Sequence, residues 1–342
     1  MADILKTAVV GCGGLGRRQA QIASNAEGVE LVAVSDVSAE SAEAAATENK
    51  VKAVYTDHKK MLAEVELDCL QVVSPTYTHA EITVDAANAG IHVFCEKPMA
   101  ITLDECDRMI EAAEKNEVFL MLGFVRRFQP SYSEMKRRVD AGDIGEVRLV
   151  QSVRMGGRPP AGIGDWRRES KKVGGLHSAY IHEMDQMLWV GGDVKTVRGV
   201  ANFGTFPDTD VEDSIWMCLE FQNGAIGAIG SSQVYPIGWY DLSVGGTEGC
   251  MKVDGTTSVI LRPHDGKAEK IQLPPNDAME VELHYFFDCV KNGKQPSVTG
   301  LDGRKSLEVV LAAFKSAETG KVVSLPLSGK QVKRYEQGDR DC

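Results

Sequence analysis

The sequence predicts two domains of different class: an α/β domain on a doubly wound parallel sheet (a Rossmann arrangement), then an α+β domain with an open, mainly antiparallel sheet. Three observations lead there. A glycine-rich turn joins an apolar strand to a helix at Gly11–Gly16. Short apolar runs recur between helical stretches as far as Leu122. Beyond Arg127 the runs alternate and are joined by Asn-Gly and Asp-Gly dipeptides.

In the first domain, Ala8 to Val10 reads as a short strand and Arg17 to Ser24 as the helix after the glycine turn. Leu31 to Val34 follows and ends at Asp36. Leu70 to Val73, Val93 to Cys95 and Val118 to Leu122 repeat the pattern, with helical stretches at Ala80 to Ala89 and Leu103 to Lys115. Apolar runs without alternation, spaced by helices, are parallel strands covered on both faces. In the second domain, Asn223-Gly224 lies between Ile215–Phe221 and Ala225–Ile229, and Asp265-Gly266 follows Val259–Leu261. These dipeptides supply the positive φ angles of tight hairpins. Ser178 to Val190 reads as a helix stopped by Gly191-Gly192. Leu283, Phe286 and Val290 mark another closed by Gly293, and Leu307, Val310, Leu311 and Phe314 a third. The expected division is 1–125, 126–329 and a polar tail 330–342.

Composition narrows the function. A chain of 342 residues with 43% hydrophobic and 25% charged side chains is an ordinary globular protein of about two domains. A net charge of −11 repels phosphate backbones and anionic lipids, so neither nucleic acid nor a membrane surface is expected as partner. The longest wholly apolar run, Val118 to Val125, is far short of a bilayer span. The opening residues lack a secretory layout. The 8 cysteines form no C-x-x-C pair and have no zinc-ligand spacing. A cytoplasmic protein with reduced thiols and no metal is expected.

Three motifs carry chemistry. Gly11-Cys12-Gly13-Gly14-Leu15-Gly16 fits G-x-G-x-x-G between strand and helix, with Asp36 ending the next strand. The glycines serve the tight turn, the approach of backbone to a pyrophosphate, and helix–strand packing; the helix start offers N–H groups to phosphate. The Asp36 carboxylate suits ribose hydroxyls and repels a 2′-phosphate. Val37 and Ser38, not a cation, follow it, so NAD is favoured over NADP. Next, Glu96-Lys97-Pro98 follows a strand, on the side where open α/β sheets bind ligands; a lysine on a turn is otherwise a solvated charge. Last, in Gly174–Asp185, helical spacing puts Ser178, His182 and Asp185 on one face. That spacing serves a catalytic histidine or a structural His–Asp pair equally.

Taken together, these residues resemble the glucose–fructose oxidoreductase / inositol dehydrogenase / rhizopine-catabolism (Gfo/Idh/MocA) family from about Lys6 to Pro326. The resemblance also rests on Ser74-Pro75-Thr76 with His79, on Gly90-Ile91-His92-Val93-Phe94-Cys95 before Glu96, on Gly246-Thr247-Glu248-Gly249 and on Gly300-Leu301-Asp302-Gly303. It implies Lys97 and His182 as catalytic pair and Asp185 as substrate contact. It further implies cofactor contacts at Gly11, Gly13, Gly14, Leu15, Gly16, Asp36, Ser74, Pro75, Thr76, His79, Glu96 and Lys97. Gly123–Phe128 with Pro130, and Gly238-Trp239-Tyr240-Asp241, look most like the inositol dehydrogenase branch, which brings Arg127 and Tyr240 to the substrate. The family's open sheet implies a homodimer or homotetramer. The expected substrate is a cyclic polyol or sugar, oxidised at a ring secondary alcohol by NAD. Ser178 stands where many dehydrogenases of the family have an aspartate, which keeps two alternatives open: a transient-redox enzyme that recycles NAD, and a non-catalytic dinucleotide-binding protein.

Overall fold

The computed structural model describes residues 4–157, 166–175 and 177–327, which fall into two compact units. The polar tail and most of the loop 156–165 lie outside the described residues.

The first unit is built on a parallel sheet. In chain order it contains β1 (Leu5–Val10), α1 (Gly14–Asn25), β2 (Val29–Ser35), α2 (Ala39–Asn49), β3 (Ala53–Tyr55), α3 (His58–Glu64), β4 (Cys69–Val72), α4 (Thr76–Asn88), β5 (His92–Glu96), α5 (Leu103–Lys115) and β6 (Leu120–Gly123). The six strands run in the order β3-β2-β1-β4-β5-β6. Ala8, Val9, Leu70, Val72, Phe94 and Cys95 are completely buried, as strands covered on both faces must be. The order reverses between β1 and β4, so the turns after these two strands diverge and leave the crevice in which such sheets hold ligands. α5 starts at a capping box in which Thr102 accepts from Glu105 N–H and the Glu105 carboxylate accepts from Thr102 N–H.

The elements α2, β3 and α3 are absent from the sequence reading. α2 buries only alanines, Ala42, Ala45 and Ala46, so it carries no stripe of large apolar residues. β3 has three residues. Caps set these helices instead: Ser38 accepts from Ser41 N–H, and Asp57 from Lys59 N–H.

The second unit opens with α6 (Pro130–Asp140), β7 (Val147–Gly157), α7 (Ser170–Val173), α8 (His177–Gly191), β8 (Val194–Asn202), β9 (Ser214–Phe221), β10 (Ile226–Ser232) and β11 (Val234–Gly246). It continues through β12 (Gly249–Val253), β13 (Ser258–Pro263) and β14 (Glu269–Gln272). Helices α9 (Ala278–Lys291) and α10 (Gly300–Thr319) precede the last strand, β15 (Val323–Ser324). Nine strands form one sheet, β14-β13-β12-β11-β7-β10-β9-β8-β15, antiparallel except where β10 pairs with β7. The β9–β10 hairpin turns at Asn223-Gly224, with Gly224 at φ 83°.

One face of this sheet lies under helices. A Cβ on Gly227 would stand 3.0 Å from the Met187 methyl on α8, and one on Gly199 would stand 2.5 Å from the Ala313 carbonyl on α10. The opposite face carries Leu149, Val200, Trp216 and Ile226, all exposed and, by strand register, all on the same side.

The division of the chain differs from the expected one. Met279–Arg304, expected in the second domain, belongs to the first unit. The reason is packing. Phe286 is fully buried with its ring 5.7 Å from that of Phe94, and Arg304 forks onto the Asp107 carboxylate. Thr299 bridges to Met121, and Gly303 leaves no room for a Cβ against Leu122 and Met99. Helical periodicity marks the helix but not its packing partner.

Phe286→Ala therefore destabilises the parallel-sheet unit, by about 3–5 kcal/mol. Urea unfolding followed by a probe in that unit measures it; an unchanged midpoint would detach α9 from this core.

Candidate active site

Each glycine of the first turn has its own physical job. Gly11 sits at φ +98°, and a Cβ there would meet Ser74 N at 2.6 Å. A Cβ on Gly16 would stand 1.7 Å from the Gly11 carbonyl, so this glycine lets α1 rest on the turn. Gly13 and Gly14 differ: a Cβ on either meets nothing within 4 Å. The backbone there is bare toward open space, at the start of a helix whose N-cap makes no side-chain bond and whose first turn has no acid. Unclaimed N–H groups and the positive end of the dipole suit a pyrophosphate. Leu15, in that first turn, is exposed. Asp36 accepts from Cys12 N–H at 2.6 Å and from Ser38 N–H at 2.8 Å. Those two bonds fix the carboxylate beside the turn and leave lone pairs on both oxygens for ribose hydroxyls. Burial and the nearby Asp36 push the Cys12 thiol up to about 12, so it stays neutral. These residues fit an NAD dinucleotide.

The turns after β4 and β5 are tied together from inside. Pro75 caps α4, which begins at Thr76, and the Ser74 and Thr78 hydroxyls lie 2.6 Å apart. His79 is buried, with one ring nitrogen 2.7 Å from the Ser74 carbonyl and the other 2.9 Å from the Pro98 carbonyl. Burial lowers its pKa, and a neutral ring has one N–H to donate between two carbonyls. His79, expected among the cofactor contacts, is in this structure an internal strut.

Glu96 is likewise bonded inside the protein. Its carboxylate is buried, accepts from the Gln19 side-chain amide at 2.7 Å and from Lys97 N–H at 3.2 Å, and fills the space where a side chain on Gly123 would stand. Desolvation holds its pKa above the usual carboxylate range. Both of its oxygens face protein donors, so it links α1 to the Lys97 turn. Gln19 escaped the sequence reading; its only signal is a lone amide among the buried positions Gly16, Ala20 and Ala23 of α1. Elsewhere in this unit His58, Glu81 and Asp85 converge, but Lys59 lies 2.7 Å from Glu81 and 3.7 Å from Asp85, so an ammonium already serves those carboxylates.

Lys97 belongs to the first unit; Arg127, His182, Asp185 and Tyr240 belong to the second. There α8 carries a run of buried polar groups: His182, Glu183, Asp185 and Gln186. Arg127 forks onto Asp185, Nε to Oδ2 at 2.9 Å and Nη2 to Oδ1, and its guanidinium lies 5.2 Å from the Trp189 ring. Arg126 meets Glu183 Oε1 at 2.6 Å and donates to the Tyr132 hydroxyl. Arg154 on β7 approaches the same Glu183 oxygen at 3.4 Å. Tyr240 pairs in register with Arg154, which stacks 4.3 Å over its ring. So Arg127 and Asp185, both expected to meet the substrate, are brought together as an ion pair. Gln186, one turn beyond His182, is buried with neither amide atom bonded. The Ser178 side chain lies outside the described residues. Arg126, Glu183, Arg154 and Gln186 were missed. Arg126-Arg127 against Glu183 and Asp185 is a charge pattern a sequence can show; the β7 arginine gives no signal until register places it beside Tyr240.

Comparison with known proteins gives a consistent result. Residues 5–124 match the family model described as oxidoreductase family, NAD-binding Rossmann fold, and residues 136–325 match its C-terminal alpha/beta domain. The chain is 31% identical to scyllo-inositol 2-dehydrogenase (NAD(+)) of Bacillus subtilis, over 95% of this chain and 97% of that protein. It is 31% identical to myo-inositol 2-dehydrogenase of Thermotoga maritima, over 94% and 98%. Among solved structures, a probable dehydrogenase from Thermotoga maritima superposes with a TM-score of 0.80 at 28% identity, over 94% and 98%. A levoglucosan dehydrogenase in complex with NADH and levoglucosan superposes at 0.88 over 94% and 100%; at 20% identity that likeness concerns the fold.

The His79 strut makes a prediction. Removing its two carbonyl contacts in His79→Ala loosens both turns and weakens NAD binding roughly tenfold, measured by calorimetric titration. The folded pKa of His79 lies below its ordinary 6.5, so the unfolded chain takes up the proton first as pH falls. Stability from this residue is present above pH 6.5 and lost below it. The decline in Tm below that pH should be shallower in His79→Gln; identical declines would remove His79 from the acid response.

Proposed function

The chain belongs to the Gfo/Idh/MocA family of oxidoreductases, and from that premise we propose that it oxidises a secondary alcohol on a ring polyol or sugar with NAD, using Lys97 and His182. The observation that carries the reading is the double service of α1. Its start presents the bare Gly13–Gly14 backbone, and its Gln19 amide holds Glu96, whose other oxygen accepts from Lys97 N–H. One rigid element thus sets both the dinucleotide turn and the lysine turn.

The chemistry NAD supplies when bound is acceptance of a hydride at nicotinamide C4. His182 takes the hydroxyl proton as general base. The Lys97 ammonium stabilises the alkoxide charge that develops on the same oxygen. Asp36 accepts from the ribose hydroxyls and disfavours a 2′-phosphate. The Arg127–Asp185 pair bounds the substrate side as one neutral unit and, with Tyr240, orients the ring. The relatives act on inositols by name, which places the substrate among cyclic polyols and sugars.

A homodimer or homotetramer forms, on this reading, through the uncovered sheet face bearing Leu149, Val200, Trp216 and Ile226. A contiguous apolar face of this kind marks an interaction surface. No described helix is long and apolar enough to cross a membrane, and we assign the protein to the cytoplasm.

Lys97→Ala and His182→Ala should each lower turnover by about 10²–10⁴-fold while NAD binding persists, followed as NADH absorbance across inositols, aldoses, sugar acids and nucleotide sugars. Full turnover in either variant removes that residue. Product formation without NADH accumulation would favour the transient-redox alternative. Trp216→Glu puts a charge on the open face and should reduce the mass found by light scattering to that of a monomer; an unchanged mass would move the interface elsewhere.

A further inference from the structure

The strip of ion pairs along α8 is unbalanced. Among the described residues that meet there, three guanidinium groups, Arg126, Arg127 and Arg154, face two carboxylates, Glu183 and Asp185, while the neighbouring Asp241 carboxylate is paired with Lys252 at 3.3 Å. They are not used alike. Arg127 forks onto Asp185, one nitrogen to each oxygen. Arg126 takes Glu183 Oε1 at 2.6 Å and also bonds the Tyr132 hydroxyl. Arg154 reaches that already occupied Oε1 end-on, at 3.4 Å, while the second Glu183 oxygen is buried with no hydrogen bond. An arginine fixed there only to neutralise Glu183 would have taken both oxygens in parallel, as Arg127 does on the same helix.

Arg154 is also the most accessible of the three. Its side chain is 27% exposed, against 12% for Arg126 and 8% for Arg127. It lies on the Tyr240 ring, and the next residue on its side of β7, two positions on, is Gly156, which has no side chain. A Cβ on Gly156 would already come within 3.7 Å of the Tyr240 hydroxyl. A surplus positive charge, a planar fork with N–H groups to spare and a phenol hydroxyl beside bare backbone together describe an anion subsite.

We propose that Arg154 is the specificity-determining residue of the ring-alcohol site and that the substrate is a ring polyol bearing a carboxylate, gripped by two parallel N–H···O bonds. A single surplus charge matches a monoanion; a phosphate dianion would call for a second spare cation. The inference rests on the reading of the α8 strip as the substrate side of a dehydrogenase, and its test separates the two.

The holoenzyme with NAD is assayed on matched rings that differ only in the carboxylate, glucose against glucuronate and galactose against galacturonate, with myo-inositol as a further neutral ring. The acids should be preferred in kcat/KM by at least roughly 30-fold. Arg154→Gln should raise KM for the acid by a similar factor with kcat within about threefold, a change several times larger than for the neutral rings. Arg154→Lys, which keeps the charge without the fork and guards against misfolding, should recover only part of the loss. Calorimetric binding of glucuronate and galacturonate to the NADH-bound protein is measured alongside. Arg154-dependent acid binding without turnover of any ring supports the anion subsite and sinks the dehydrogenase reading. NADH from neutral rings at equal or better kcat/KM, or an acid KM that Arg154→Gln does not move, overturns the inference and leaves the dehydrogenase reading standing. Absence of both binding and turnover with the acids overturns it too.

Discussion

The carboxylate of Glu96 is the constraint around which the first unit's site is arranged. A carboxylate is costly to bury and stays buried only where donors meet it. Two do: the amide of Gln19 from α1, and the backbone N–H of Lys97 from the turn after β5. Because β5 sits two strands from β1, this contact joins the helix that leaves the glycine turn to the turn that carries the lysine. Gly123 on β6 is a glycine for the same reason, since its missing side chain is the room Glu96 occupies. His79 fastens the remaining turn, 74–76, to Pro98 through two carbonyls. Three turns from three strands are thereby held by contacts inside the protein.

The second unit solves a similar problem with charge pairs. Glu183 and Asp185 are nearly inaccessible and would destabilise the helix if unpaired, by about 3–5 kcal/mol each on the scale of broken buried pairs. The consecutive Arg126 and Arg127 answer them from a short 3-10 turn, so the position of that turn and the rotation of α8 are fixed together. His182 stands on the same helix and inherits that fixed rotation. The position of a buried histidine is therefore set by ion pairs on its own helix.

The parts of the fold legible in the sequence were those written as local patterns. Apolar runs located β1, β2, β4, β5 and β6, and Asn223-Gly224 located the β9–β10 hairpin. α2 was lost because alanines bury without forming a recognisable stripe. Within the site, the glycines, Asp36 and Lys97 were visible because backbone conformation and motif spacing constrain them locally. Glu96 and His79 were visible as residues, but their internal contacts were not, since these involve partners up to 77 positions away. Gln19 and Arg154 were invisible for the same reason. One is an amide on an otherwise apolar helix face, and the other an arginine on a strand whose neighbour only register reveals.

The return of Met279–Arg304 to the first unit has a consequence for how the protein is made. A ribosome releases β1 to β6 long before it reaches Phe286. At about 5–20 residues per second the gap is on the order of ten seconds or more. Throughout that interval Phe94 lacks its ring contact with Phe286. The nascent sheet waits in a sticky, incomplete state while the whole antiparallel sheet up to β14 is still being translated. The first unit thus starts first yet completes only after most of the second has been made, and a product truncated before Met279 would leave it unfinished.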